Sequence, residues 1–268
     1  MRSETIRALQ SYIRTTAAKF RETERIGPFL ATYYLEATSP FLNYAIPDDG
    51  AVPTHDDVAE LTEAFRERGL MPRLEFLTEA VPAAEAVLVE CGYTLERRVP
   101  LMICTPEQVV EQPGPAGISL ITPKTADELG KMIRAQNLAF GETDPDQHLD
   151  PSPDQLSGET MSVMAVDENG DVVGGGVATA ILDGATEVAG IGVIEEYRSR
   201  GIAAAMTEYL TREAHARGGR SVFLTPGAGQ AERVYGRVGF ETAAECVHLS
   251  VVRPADVDRG FATGDSVV

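Results

Sequence analysis

VIEEYRSRGIAAAMTEYL, Val193 to Leu210, joins the end of an apolar strand to the start of a helix. The turn between them is Arg198-Ser199-Arg200-Gly201-Ile202-Ala203. A helix opens with four backbone N–H groups that have no partner inside it, and with the positive end of its dipole. Small residues at Gly201, Ala203 and Ala204 let an anion approach those amides, and Arg198 and Arg200 add positive charge. These parts suit a pyrophosphate. Taken alone, the loop reads equally well as a basic surface turn that caps a helix. It is not a Walker A loop, because no Gly-Lys-Ser/Thr follows. Nor does the chain hold a GxGxxG fingerprint: GGGVA, from Gly174, sits inside a strand pattern.

Downstream of this block, FLTPGAGQAERVYGRVGF (Phe223 to Phe240) echoes FLTEAVPAAEAVLVECGY (Phe76 to Tyr93) without a gap. Phe, Leu, Thr, Ala, Glu, Val and Gly recur at matching places, and the offset from Phe76 to Phe223 and from Gly92 to Gly239 is 147 residues in both cases. Each half therefore ends in strand, helix, Gly-aromatic and strand, which reads as a duplicated domain. Tyr235 of the second copy stands where the first has Leu88.

The remaining elements follow from periodicity. Glu4 to Phe20 has helical spacing; PFLATYYLEA, FLNYAI, RLEFLT and TLERRVPLMI read as strands. THDDVAELTEAFRERG reads as a helix capped by Thr54 and ended by Gly69, and a further helix starts at Pro82. EQPGPAG bars helix and strand alike, so it reads as a linker. Beyond it come the strand ISLITP, a helix capped by Thr125, a polar Pro-rich stretch that reads as a loop or broken helix, and three strands (MSVMAV, VVGGGVATAIL, TEVAGIGVI) joined by the hairpin signals DENGD and LDGA. The helix after the Arg loop, RSVFLT, AERVYGRV and AECVHLSVV complete a β-α-loop-β-β-β-α-β-α-β order. The expected organisation is a first domain over 1–110, a linker over 111–116, a second domain over 117–255 and a tail over 256–268. The fold class is α/β, with a mixed sheet flanked by helices in each half.

The bulk numbers narrow the function. A length of 268 residues fits two modest domains, and 43% hydrophobic content supports a core in each. A net charge of −18 argues against nucleic-acid and membrane partners, which need clustered cations. It reads first as a solvated acidic surface and second as a hint of cationic substrates. Cys91, Cys104 and Cys246 are far apart and odd in number, which argues against a disulfide framework or a zinc site, so no metal is expected. With no signal-peptide core and no apolar run of spanning length, a cytoplasmic location is the expectation.

RSRGIA resembles the Arg/Gln-x-x-Gly-x-Gly/Ala signature of the GNAT superfamily of acetyl-CoA-dependent N-acetyltransferases. GIGVIEEYRSRGIAAAM resembles that family's strand–loop–helix block, and AERVYGRVGF its closing block, in which a helix tyrosine precedes Gly-Phe. The resemblance covers Ile118 to Val252, and the N-terminal half looks like a degenerate copy, as in tandem members. It implies acetyl-CoA as co-substrate and a primary amine, small-molecule or peptide, as acceptor. The backbone of Ile191, Gly192 and Val193 would pair with the pantetheine arm like an added strand. The Val193 N–H would hold the developing oxyanion. The amides of Arg198, Ser199, Arg200, Gly201, Ile202, Ala203 and Ala204 would hold the pyrophosphate. Tyr235 would protonate the departing thiolate; its other reading is core packing on an amphipathic helix. Glu187 is the candidate base, possessed of a plain reading too, as an exposed strand-end carboxylate. His148 is a weaker candidate base, and His215 and His248 read as structural.

Two departures from the family stand out. The loop's last small position is Ala203 rather than Gly, and Pro226, Gly227, Ala228 and Gly229 occupy the place of a side-chain amide that often contacts the cofactor. In the first copy the Arg loop is replaced by PDDGAVPTHDD, which has no arginine and would repel a pyrophosphate. The acidic loop from Gly141 to Glu159 suggests a cationic acceptor or simply a solvated surface. The alternative to an enzyme is an acyl-CoA-binding sensor or scaffold. A homodimer is compatible with either.

Overall fold

The structure is a computed structural model that describes residues 2–19, 21–34, 42–227 and 231–251. The tail expected over 256–268, the stretch 35–41 of the PFLATYYLEA and FLNYAI segments, and Ala228 and Gly229 lie outside them. The chain divides into two compact units: Met1–Leu101 with the described residues from Thr242 on, and Met102–Glu241. Each is a mixed sheet with helices packed on it.

The first unit runs α1 (Arg2–Ala18), β1 (Glu22–Ile26), β2 (Phe29–Tyr33), β3 (Tyr44–Pro47), α2 (His55–Glu67), β4 (Arg73–Leu77), α3 (Ala84–Glu90) and most of β5 (Thr94–Cys104). β1, β2 and β3 form an antiparallel meander; β3 then runs parallel to β4. Val58, Leu61 and Phe65 give α2 its buried face. Thr54 accepts from the Asp57 N–H while Asp57 accepts from the Thr54 N–H, a capping box that fixes where this helix starts. β1 is absent from the periodicity reading. Its sequence ETERI is mostly charged because it is an edge strand with one buried residue, Ile26, and charge on an edge discourages pairing with other chains.

The second unit holds β6 (Ile118–Ile121), α4 (Ala126–Phe140), α5 (Pro153–Ser157), β7 (Met161–Asp167), β8 (Val172–Ala178), β9 (Ala185–Val193), α6 (Ile202–Ala216), β10 (Ser221–Leu224) and α7 (Ala231–Val238). β6 to β9 are an antiparallel meander, and β10 lies parallel to β9. Asp183 and Gly184 turn the β8–β9 connection with φ of 51° and 82°, the two positive values a tight primed turn needs. The glycine run of β8 lets helices approach both faces. A Cβ at Gly175 would lie 2.5 Å from Met132 of α4, and one at Gly176 would lie 3.3 Å from Leu210 of α6. The core between α6 and the sheet is Val163, Ala165, Val173, Val188, Val193, Ile202, Met206 and Leu210.

The last strand, β11 (Glu241–Ser250), pairs antiparallel with β4 in the first unit, and the end of β5, Met102 to Cys104, pairs antiparallel with β10 in the second. The final strand of each copy thus serves the other copy's penultimate strand. Among the described residues no helix is long and apolar enough to cross a membrane, and no group of three His, Cys, Asp or Glu side chains is placed to hold a metal.

Candidate active site

The site grows from the way β9 leaves β10. The two strands pair over Ala185 to Glu187 against Ser221 to Phe223. β10 ends at Leu224, whereas β9 continues to Val193, still held by β8 on its other side. A register shift between Gly175 and Val177, with Gly190 at φ 62° opposite them, bends β9 at this point. Gln136 of α4 donates to the Gly190 carbonyl at 2.6 Å and holds that bend.

Alternate backbone groups along a strand face opposite edges. The Ile194 N–H donates to Val173 of β8 at 3.0 Å, so the Val193 N–H faces the other way, toward the edge that β10 has vacated. The Ile191 backbone shares that side. Such an edge can take one more extended chain through backbone hydrogen bonds.

The chain then reaches α6 through a 3-10 turn, Glu195–Tyr197, and a strained loop. Ser199 has φ 63°, uncommon for a residue with a side chain, and Gly201 at φ 81° is the N-cap without a side-chain cap bond. The first bond of α6 runs from Ala205 N–H to the Gly201 carbonyl at 3.0 Å. Ahead of it the amides of Ser199, Arg200, Gly201, Ile202, Ala203 and Ala204 have no acceptor among the described residues. Buried Ile202 and Ala204 fix the helix start in the core. A Cβ at Gly201 would meet nothing within 4 Å, so the N-cap itself is not crowded by other parts of the chain.

The arginines of the loop are not equivalent. The Arg198 N–H goes to Glu195 O at 3.2 Å, and its side chain donates to Val193 O at 3.1 Å and to Ala139 O at 2.7 Å. Arg200 lies over the Tyr197 ring, 5.0 Å from its centroid, and donates to Ala116 O at 3.3 Å. Tyr197 is anchored by a 2.7 Å bond to Asp167.

Tyr235 sits on α7, which packs on α6, with its ring half-buried against the core and edge-on to Phe240. Burial raises its phenol above the ordinary value of 10.0, so the proton stays on oxygen at neutral pH. Glu187 is half-buried on β9, opposite Phe223, with its backbone tied to Thr179. The histidines lie elsewhere. His148 is exposed in the α4–α5 loop, His215 bonds Gly219 O at 2.7 Å beyond the end of α6, and buried His248 belongs to the first unit. Cys104 is buried on β5, and burial with the nearby Glu241 charge pushes its thiol up to about 11, which suits no thiolate nucleophile. In the acidic loop, Asp146 pairs with Arg134 at 2.7 Å and Asp144 bonds Gln147 at 2.9 Å.

The first unit shows the same positions closed. Thr54 lies 147 residues before Gly201, and both are N-caps, but the Thr54–Asp57 box occupies the start of α2. Asp48 and Asp49 of its loop pair with Arg25 and Arg14. Beyond the pair Ala45–Leu74, buried Gln10 of α1 donates to Pro47 O at 3.3 Å and accepts from Leu77 N–H at 3.0 Å. A side chain therefore satisfies the backbone edges that stand open in the second unit. Sequence reasoning missed Gln10, whose partners are 37 and 67 residues away, and Gln136, whose partner is 54 away.

Residues 129–240 match the model of the acetyltransferase (GNAT) family, so the second unit carries a GNAT domain. A GCN5-related N-acetyltransferase from Kribbella flavida is similar over 94% of this chain and 98% of its own, at 29% identity and a TM-score of 0.78. A GCN5-related N-acetyltransferase from Sphaerobacter thermophilus shares the fold at 18% identity, covering 84% of this chain and 78% of its own, with a TM-score of 0.60. A tandem GNAT protein from the clavulanic acid biosynthesis pathway does so at 13% identity, covering 84% and 79%, with a TM-score of 0.60. No curated protein sequence matches the chain.

Proposed function

We propose that the second unit transfers an acetyl group from acetyl-CoA to a primary amine by direct attack in a ternary complex. The observation that carries this reading is the divergence of β9 from β10 beside the uncapped start of α6. An extended pantetheine-like arm fits the open edge at Ile191 to Val193, and a diphosphate fits the amides from Ser199 to Ala204. Bound there, the thioester supplies an activated acetyl carbon.

The chain's own groups do the rest. Glu187 takes a proton from the acceptor ammonium, directly or through water. The amine nitrogen bonds to the carbonyl carbon, the Val193 N–H faces the oxygen as negative charge develops on it, and the C–S bond breaks. Tyr235 Oη gives its proton to the leaving sulfur, and the second proton shed by the attacking nitrogen as the amide forms returns to the Tyr235 phenolate through water. The raised Cys104 thiol argues against an acetyl-cysteine intermediate on that residue. The internal pairing of Asp146 and Asp144 weakens the case for a strongly cationic acceptor, so a neutral or singly charged amine is the better expectation.

Calorimetric titration with acetyl-CoA tests the reading. One site per chain, followed by turnover of an amine from a broad panel, is the expected result. Two sites would show that the first unit binds as well. No binding would overturn the proposal, and binding without turnover of any amine would favour an acyl-CoA sensor.

A further inference from the structure

We infer that Arg198 acts as a positioning residue for the Val193 peptide rather than as a ligand for the cofactor's phosphates. This rests on the acetyl-transfer reading and assigns a different task to the first residue of the Arg loop.

The observation is the use of both ends of the arginine. Its N–H is held by Glu195 O at 3.2 Å, so it stands apart from the amides at the start of α6. Nε donates to Val193 O at 3.1 Å, and Nη2 donates to Ala139 O at 2.7 Å. Ala139 is in the last turn of α4, where carbonyls lack helical partners and a cation is favoured. One planar guanidinium thus ties the end of α4 to the end of β9.

The consequence falls on the next peptide. The peptide joining Val193 to Ile194 is pinned at its N–H by Val173 O, at 3.0 Å, and at its carbonyl by Arg198. That fixes the direction of the preceding N–H, which belongs to Val193 and faces the open edge. Residue 192 is glycine, so no side chain there restrains the strand end. A Cβ at that glycine would lie 2.9 Å from the Ala139 methyl, which shows how closely α4 is held against β9. Removing the arginine frees the strand end at the place where the donor's direction matters.

Two donors separate the two roles. Acetyl-CoA carries the diphosphate; S-acetylpantetheine carries the same thioester and arm without it. For Arg198→Ala the expected result is a fall in kcat of about the same factor with both donors, up to about 10²-fold for a misdirected group. The calorimetric Kd for CoA should stay within about threefold of wild type. Arg198→Gln, which keeps an amide donor but no charge, should recover part of the kcat. The inference is overturned if the loss is confined to acetyl-CoA, with KM and Kd raised and kcat kept. It is also overturned if Arg198→Gln and Arg198→Ala both bind CoA more than about tenfold more weakly than wild type in folded protein. If Arg198→Ala does not fold, the same two-donor comparison on Arg198→Gln decides. Failure of the wild-type protein to bind CoA would instead sink the acetyl-transfer reading itself.

Discussion

At Gly239 the backbone turns with φ 107°, and a Cβ placed there would lie 2.0 Å from the Gln108 carbonyl oxygen. Gly92, 147 residues earlier, turns the same way with φ 90°, yet a Cβ there would meet nothing within 4 Å. The pair separates conformational strain from collision. Gly92→Ala should cost about 1–2 kcal/mol, the strain of a left-handed residue. Gly239→Ala should cost roughly 2 kcal/mol more, because backbone must move to relieve the overlap. Urea unfolding of both variants checks this, and equal losses would show that the Gln108 contact is easily relieved.

Arg73 is 1% exposed in the first unit and forms ion pairs with Glu75 and Glu96, with His248 Nδ1 3.1 Å from Glu75. Burial alone would raise the Glu75 carboxyl, but Arg73 and His248 outweigh it and hold the group far below the usual carboxylate range. The folded value is depressed, so the unfolded chain takes up the proton first as pH falls. The stabilisation is complete above the unfolded value of about 4.3 and drains away on descending from there toward the folded value. Glu75→Gln should lose about 3 kcal/mol at pH 7, since it leaves Arg73 undercompensated. It should also show a shallower fall in stability from about pH 4.5 downward. An unchanged acid slope would mean that Glu75 is not the group responsible.

The start of α6 invites a test in which binding and folding part company. Gly201→Ala adds a methyl into open space at φ 81°, so the folding cost should be about 1 kcal/mol. Under the acetyl-CoA reading a methyl at the N-cap crowds a diphosphate held by the amides beside it, so the CoA Kd should rise more than about tenfold, or about 1.4 kcal/mol. Calorimetry beside thermal melting reads both. An unaltered Kd would place the diphosphate elsewhere.

Much of this was legible because it is local. Thr54 and Thr125 announce their helices through acids three residues on, and both boxes form. The strand–helix–Gly–strand repeat predicts α7, Gly239 and β11 from α3, Gly92 and β5, and the offset holds through the N-caps Thr54 and Gly201. What the sequence hides is partner choice. Alternation in AECVHLSVV says strand but not that its neighbour is β4, with Cys246 set opposite Leu77 and Ser250 opposite Arg73. Arg198 reads as a free cation in one dimension and is a bridge between two carbonyls in three. Gln10 looks like one polar residue on an amphipathic helix, yet it closes the edge between β3 and β4.

Tyr235 offers the sharpest test of the chemistry, because its two readings differ in what its hydroxyl does. As a packing residue it contributes a ring, half-buried and edge-on to Phe240 at 6.3 Å between centroids, and Phe would replace it without loss. As the proton donor it contributes Oη, and Tyr235→Phe should lower kcat about 10²-fold with the CoA Kd and the melting temperature unchanged. The pH profile adds a sign. A phenol raised above 10.0 by burial keeps its proton through the range in which amines become deprotonated. The rate should therefore climb with pH as the acceptor loses its proton, with no decline from Tyr235 below about pH 10. Full activity of Tyr235→Phe would leave the ring as core packing and require another route for the proton to reach sulfur.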